Sequence, residues 1–255
     1  MRIKLIAAVV AAWHTQGTKI LFPIATIGIE RMTKTFVLVH GAWHGGWCWR
    51  RVRERLVGRG HHVYTPTLTG VADRSHLLSA SVNLSTHITD VVNLIRWEEM
   101  TDIVLCGHSY GGFVVTGVAD QMPERIAALV YLDAYVPESG QSWADLRPRK
   151  TPAELTLPPI SAEVFRVNER DRQWVDRQCT PHPAASATEK LVLTGAYRVV
   201  SRKLYIRATS FPSPAFDPVY ERAKSDPGWI AKELACGHDA MLEMPDELTE
   251  ILEAV

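Results

Sequence analysis

Residues 103–121 read IVLCGHSYGGFVVTGVADQ. The four apolar residues 103–106 end at a glycine, which is typical of a fully buried strand, and the small, apolar residues after the turn predict a helix. The turn fits the pattern G-x-S-x-G, in which glycines leave room for a strained serine whose hydroxyl stands clear of its neighbours. The stretch therefore predicts that Ser109 is a nucleophile at a strand-to-helix turn. The alternative is an ordinary turn with Ser109 as a helix N-cap.

The same alternation of strand and helix extends over most of the chain. Apolar runs predict strands at 36–39, 63–65, 103–106, 126–132, 204–208 and 230–235. Stretches with helical spacing lie between them, at 47–59, 86–99, 110–121, 217–224 and 239–255. Continuous apolar runs separated by helices predict one α/β domain with a doubly wound, mostly parallel sheet covered on both faces. The alternation stops at about 137–201, a stretch too long for a loop, which predicts an inserted, mostly helical cap.

Composition narrows the class of protein. The chain has 255 residues, of which 46% are hydrophobic and 22% charged, as in ordinary globular proteins. Lys+Arg and Asp+Glu both total 28, and a net charge of zero argues against a nucleic-acid partner, because such binding depends on neutralising phosphates. The four cysteines form no CxxC pair, which argues against a metal site and suits a reducing, cytoplasmic compartment. No pattern in the chain calls for a cofactor.

Residues 1–31 differ from the rest of the sequence. An apolar run at 5–13 follows Arg2 and Lys4 and resembles a weak signal-peptide core, but no clear cleavage site closes it. Neither this run nor the one at 20–29 reaches the roughly 18 residues that a membrane span needs. We expect a non-essential extension before a domain at 32–255, with an export signal or a membrane-surface anchor as alternatives.

A nucleophilic serine needs a base and an acid that orients it. Among ten histidines, His238 stands directly after the last predicted strand, in the order serine, acid, histidine that such enzymes follow, although a surface histidine is the alternative. The acid is ambiguous. Asp133 ends the strand after the nucleophile, and Asp217 comes later, where it reads as the N-cap of a helix. We favour Asp133, keep Asp217 as the alternative, and expect Asp239 to point away from the ring of His238.

The oxyanion of a tetrahedral intermediate needs backbone N–H donors. One is the amide of Tyr110, directly after the nucleophile. The other is expected in the loop HGAWHGGW, residues 40–47, where we choose the amide of Ala42. This loop lacks both G-x-G-x-x-G and the lysine of a P-loop, which argues against phosphate binding.

Three segments together resemble the α/β-hydrolase superfamily: VLVHGAWHGGWCW at 37–49, GHSYGG at 107–112 and GHDAM at 237–241. The resemblance runs from residue 33 to the C-terminus and points to the plant methylesterase and hydroxynitrile-lyase branch with its bacterial, pyrethroid-hydrolase-like esterases. It implies that Ser109 is the nucleophile, that His238 is the base, and that Ala42 and Tyr110 form the oxyanion hole.

The sequence departs from this branch at the acid, because the usual Asp after Ala208 is missing. Some superfamily members, such as haloalkane dehalogenases, carry their acid at the position that matches Asp133, but their nucleophile is Asp. The lyases of the branch carry a Thr at the position of Gly41 and a Lys after the histidine. This chain has Gly41 and Asp239, which argues against lyase chemistry.

The cap is expected to form one wall of the substrate pocket. We expect Trp43 and Trp143 there, with Phe165, Trp174 and Tyr197 as further candidates or plain cap core. The predicted function is a cofactor-independent serine carboxylesterase that forms an acyl-enzyme from a medium-sized, largely apolar ester. The alternatives are a ligand-binding receptor with little turnover, and lyase or acyl-transfer chemistry on the same site.

Overall fold

The computed structural model describes residues 6–15, 18–26, 32–147 and 154–255. The chain divides into two compact units, Met1–Thr33 and Lys34–Val255. In the first, strands β1 (Ile6–Thr15) and β2 (Thr18–Thr26) pair antiparallel. Residues 1–5, 16–17 and 27–31 of the predicted extension lie outside the described residues, and its dispensability stays a prediction.

The second unit is built on a six-stranded sheet in which every neighbouring pair is parallel. Its strands are β3 (Thr35–Val39), β4 (His62–Tyr64), β5 (Ile103–His108), β6 (Ile126–Leu132), β9 (Lys203–Ala208) and β10 (Trp229–Leu234). Their order across the sheet is β10-β9-β6-β5-β3-β4. All six residues of β5 are buried, which explains why this strand reads as a continuous apolar run. The predicted α/β architecture is confirmed.

Helices connect these strands. They are α1 (Arg50–Gly58), α2 (Leu84–Trp97), α3 (Gly111–Gln121), α7 (Asp217–Ser225), α8 (Ala240–Glu243) and α9 (Pro245–Glu253). A capping box of Asn83 and Thr86 starts α2, and its apolar stripe faces the core. The single helix predicted at 239–255 is wrong: α8 ends before Pro245, which cannot continue the hydrogen-bond ladder and starts α9 instead. No helix in the described parts of the chain is long and apolar enough to cross a membrane.

The inserted cap combines helices with a small sheet. It contains α4 (Trp143–Leu146), α5 (Glu169–Gln178), α6 (Ala185–Thr188) and an antiparallel pair, β7 (Thr156–Leu157) and β8 (His182–Pro183). Residues 148–153 of the predicted cap lie outside the described residues. The strand pair could not be predicted, because two-residue strands are too short to show an alternating pattern.

The strand order places a crevice at the sheet's carboxyl edge. After β3 the chain goes outward to the edge strand β4 and then returns to β5 on the other side of β3. Such a reversal leaves an opening between the carboxyl ends of two adjacent strands, where α/β proteins bind ligands. The loop after β3 and the turn after β5 therefore meet at one site.

Candidate active site

The turn after β5 holds Ser109 in a strained conformation, with φ of +54°. A Cβ at Gly107 would lie 2.6 Å from the carbonyl oxygen of Gly111, and a Cβ at Gly111 would lie 2.8 Å from that of His40. Only glycine therefore allows the helix α3 to begin this close to β5 and to the loop after β3. The result is a nearly buried serine whose hydroxyl lines a cavity.

His238 lies in the loop after β10 and lines the same cavity. Its ring stacks on Phe216 at 5.5 Å between centroids and contacts Phe211 at 4.7 Å and Phe165 at 5.2 Å. Its backbone N–H donates to the Phe165 carbonyl at 2.9 Å, and its carbonyl accepts from His108 Nε2 at 3.0 Å. The cap on one side and β5 on the other thus fix the position of the imidazole.

Asp133 follows β6 directly and is completely buried. Its Oδ2 accepts from His238 Nδ1 at 2.6 Å, and its Oδ1 accepts from Arg207 Nη1 at 2.5 Å and from the Ala208 N–H at 3.1 Å. With the proton on Nδ1 held by the carboxylate, Nε2 is left as the basic nitrogen. This is the arrangement that a general base requires.

Asp217, the alternative acid, does not contact His238. Its Oδ1 accepts from Arg207 Nε at 2.9 Å and from Nη2 at 2.7 Å, and its side chain is 57% exposed. The expectation that Asp217 is a helix N-cap is wrong: Phe216 holds that position, and Asp217 is the first residue of α7. Its other oxygen accepts from the Ser213 N–H at 3.2 Å, so the carboxylate bonds the loop that precedes α7.

Both predicted oxyanion donors are buried beside the serine. Within the described ranges, neither the Ala42 amide nor the Tyr110 amide has a hydrogen-bond acceptor. The loop after β3 approaches the serine closely, since a Cβ at Gly41 would lie 2.8 Å from Ser109 Cβ. Two buried, unused N–H groups on either side of a serine can stabilise a negative oxygen.

The cavity that Ser109 and His238 share has a volume of about 220 Å³ and is mostly aromatic and aliphatic. Its other lining residues are Trp43, Tyr135, Trp143, Arg147, Ile160, Val164, Phe165, Phe211, Pro212, Ser213, Pro214, Ala215 and Phe216. Phe211 and Phe216 were not predicted as pocket residues, because the loop after β9 was considered only as a source of the acid. Two of the predicted pocket candidates do not line this cavity. Trp174 packs edge-on against Trp47 at 5.0 Å, and Tyr197 lies beside Arg198.

A second histidine–carboxylate pair lies next to the first. His44 Nδ1 donates to the Ala42 carbonyl at 2.8 Å, and His44 Nε2 donates to Asp239 Oδ2 at 3.1 Å. Burial opposes the charge on His44, but Asp239 outweighs it and raises the pKa of His44. Asp239 therefore forms a buried ion pair with His44, which in turn bonds the loop after β3 at the Ala42 carbonyl.

The remaining buried histidines near the site are neutral. Burial lowers the pKa of His40 to about 3 and that of His87 to about 4, and it also lowers that of His108 and His182. Despite this density of histidines, the part of the chain that the structure describes contains no group of three His, Cys, Asp or Glu side chains that could hold a metal ion.

The sequence and the fold of this chain are similar to those of known proteins. A profile of the "Alpha/beta hydrolase family" matches residues 36–251. The "Carbendazim hydrolyzing esterase" of Nocardioides sp. (strain SG-4G) is 44% identical over 241 residues, which cover 86% of this chain and 98% of that protein. "Methylesterase 2" of Arabidopsis thaliana is 32% identical over 44% of each chain. Among solved structures, an extracellular alpha/beta-hydrolase from a Paenibacillus species superimposes with a TM-score of 0.73 at 27% identity, covering 86% of this chain and 97% of its own.

Proposed function

The chain belongs to the alpha/beta hydrolase family and is a carboxylic ester hydrolase, and on that premise we propose that it works as a serine enzyme through Ser109, His238 and Asp133. The observation that supports this most strongly is the 2.6 Å contact between Asp133 and His238 Nδ1, in a cavity that Ser109 also lines. The resemblance to esterases expected from the sequence is confirmed.

In the proposed reaction, His238 Nε2 takes the proton of Ser109 as Oγ attacks the ester carbonyl carbon. Asp133 stabilises the imidazolium that forms, and the amides of Ala42 and Tyr110 donate to the oxyanion. The tetrahedral intermediate then breaks its bond to the alcohol oxygen, which leaves with the proton from His238. Water, activated by the same imidazole, hydrolyses the acyl-enzyme and releases the acid.

We propose a medium-sized, largely apolar ester as the substrate. A cavity of about 220 Å³ lined by several aromatic rings suits a compact, flat group, and Arg147, whose guanidinium lies 5.0 Å from the ring centre of Trp143, adds a cation at its wall. The names of the relatives add two candidates, carbendazim and methyl esters.

The test is steady-state hydrolysis of p-nitrophenyl acetate through octanoate, a methyl ester and carbendazim. Wild type is compared with Ser109→Ala and with Ser210→Ala, a matched control in the exposed loop after β9. We expect repeated turnover in wild type and Ser210→Ala, and none in Ser109→Ala with its fold intact by circular dichroism. Turnover that survives in Ser109→Ala contradicts the serine mechanism. A single burst in wild type favours a receptor or an acyl transferase.

A further inference from the structure

Arg207 joins the two acids that sequence analysis left as alternatives. Its side chain is only 2% exposed, although it lies near the end of β9. A guanidinium has five N–H donors, and all five have an acceptor here. Two go to Asp217 Oδ1, and one each goes to Asp133 Oδ1, the Ala208 carbonyl and the Phe211 carbonyl.

This network fixes the orientation of the proposed catalytic acid. Arg207 and the Ala208 N–H occupy Oδ1 of Asp133, so only Oδ2 is left for His238. The contact from Arg207 to the Phe211 carbonyl also holds the loop whose Phe211 ring packs on the imidazole. One guanidinium therefore positions both the acid and part of the aromatic wall around the base.

The contact between Arg207 and Asp133 has an electrostatic cost for catalysis. A cation 2.5 Å from Asp133 competes with the imidazolium for the negative charge of that carboxylate. Asp133 and Arg207 alone sum to zero charge, whereas Asp133, Arg207 and Asp217 sum to minus one. Burial opposes the charge on Arg207, but Asp133 and Asp217 together outweigh it and raise the pKa of Arg207, so the guanidinium stays charged.

We propose that Arg207 and Asp217 are positioning residues that set the basicity of His238: Arg207 orients Asp133, and Asp217 offsets the charge of Arg207 so that Asp133 remains an effective counter-ion. This inference rests on the proposed function of the site. It gives Asp217 a role in the chemistry without any contact to His238.

Other charged or titratable groups also face His238. His108 donates to its carbonyl from β5, and Asp239 follows it in the chain with His44 as its partner. Glu243 on α8 lies behind Gly237. A substitution at Asp217 leaves all of them in place, so a change in the titration of the base reports on the Arg207 network.

The test is the pH profile of kcat/KM for p-nitrophenyl acetate at low ionic strength, in wild type, Asp217→Asn and Glu221→Gln. Asn keeps an oxygen acceptor for Arg207 and removes the charge, together with the acceptor of the Ser213 N–H. Glu221 lies on the same helix, bonds Lys224 and loses the same charge in its variant, so it is the matched control. Removing the charge of Asp217 disfavours the imidazolium. In Asp217→Asn we therefore expect the acid limb of the kcat/KM profile to move to lower pH by ~0.5 unit and the plateau of kcat/KM to fall by roughly threefold. In Glu221→Gln we expect no shift.

Arg207→Gln tests for a shift of the acid limb in the opposite direction. It removes the competing cation, so the acid limb moves to higher pH, and its folding is checked by thermal melting because the side chain is buried. An acid limb that stays in place in Asp217→Asn, or that moves equally in Glu221→Gln, overturns the inference even if Arg207→Gln does not fold. Such a result leaves the proposed function intact as long as turnover still requires Ser109.

Discussion

Two buried histidine–carboxylate pairs lie side by side in this protein, and they differ at one ring nitrogen. In the pair of His238 and Asp133, the carboxylate holds Nδ1 and the other nitrogen carries no protein hydrogen bond among the described residues. In the pair of His44 and Asp239, both ring nitrogens donate to buried oxygens, one of them the Ala42 carbonyl. The first pair has a nitrogen that can exchange a proton, whereas the second only holds the loop after β3 in place. The free nitrogen, and not the presence of a carboxylate, distinguishes a base from a structural ion pair.

The largest expected effect comes from breaking the first pair. Asp133→Asn offers Nδ1 an amide that no longer selects the required tautomer or stabilises imidazolium, so kcat is expected to fall on the order of 10⁴-fold. The measurement is kcat for p-nitrophenyl acetate beside Asp217→Asn. A loss of similar size in Asp217→Asn alone would show that the acid is assigned to the wrong residue.

The next effect concerns the loop after β3, which the second pair supports through the Ala42 carbonyl. A Cβ at Gly41 would lie 2.8 Å from Ser109 Cβ, so Gly41→Ala must displace either the loop or the serine. We expect kcat to fall by roughly 10²-fold, the cost of losing one oxyanion donor, with a smaller change in KM. Gly58→Ala, where an added Cβ meets nothing within 4 Å, is the control and should keep full activity.

Breaking the second pair should affect stability more than chemistry. Asp239→Asn leaves a buried His44 without its counter-ion, which is expected to cost about 3 kcal/mol in the free energy of unfolding measured in urea. Activity of the folded fraction should fall less than tenfold, because the His238–Asp133 contact is untouched. A loss of activity as large as that of Asp133→Asn would remove the distinction between the two pairs.

The smallest effect per residue comes from the neutral histidines around both pairs. His40 and His87 have folded pKa values of about 3 and about 4, below the unfolded value of 6.5. The unfolded chain therefore binds more protons between these values, and the folded state loses stability as the pH falls below about 6.5. Each contributes up to about 1.4 kcal/mol per pH unit. The raised pKa of His44 acts in the opposite direction.

Urea unfolding at pH 7 and at pH 5 measures this dependence. We expect the free energy of unfolding to be lower at pH 5, and His87→Gln to show a shallower fall than wild type. Equal stability at the two pH values in wild type would contradict the neutral state of the buried histidines.

Local chemistry explains which parts of the site could be predicted from sequence. Ser109 and His238 stand in short motifs, and the glycines and strands that position them are their neighbours in the sequence. The α/β fold follows from apolar runs of the length of a strand. The two-fold choice between Asp133 and Asp217 could not be settled in this way, because it depends on β6 and β9 being neighbours in the sheet. Arg207 was missed for the same reason: an arginine within a strand gives no sign that it bridges two acids distant in the chain.

The serine mechanism is tested most directly by identifying the residue that carries the acyl group. Wild type and Ser109→Ala are mixed with p-nitrophenyl butyrate, quenched in acid within milliseconds to seconds, digested and mapped by mass spectrometry. We expect a butyryl group on the peptide that contains Ser109 in wild type, and none in Ser109→Ala. A butyryl group on another residue of wild type, or turnover that persists in Ser109→Ala, would contradict this mechanism.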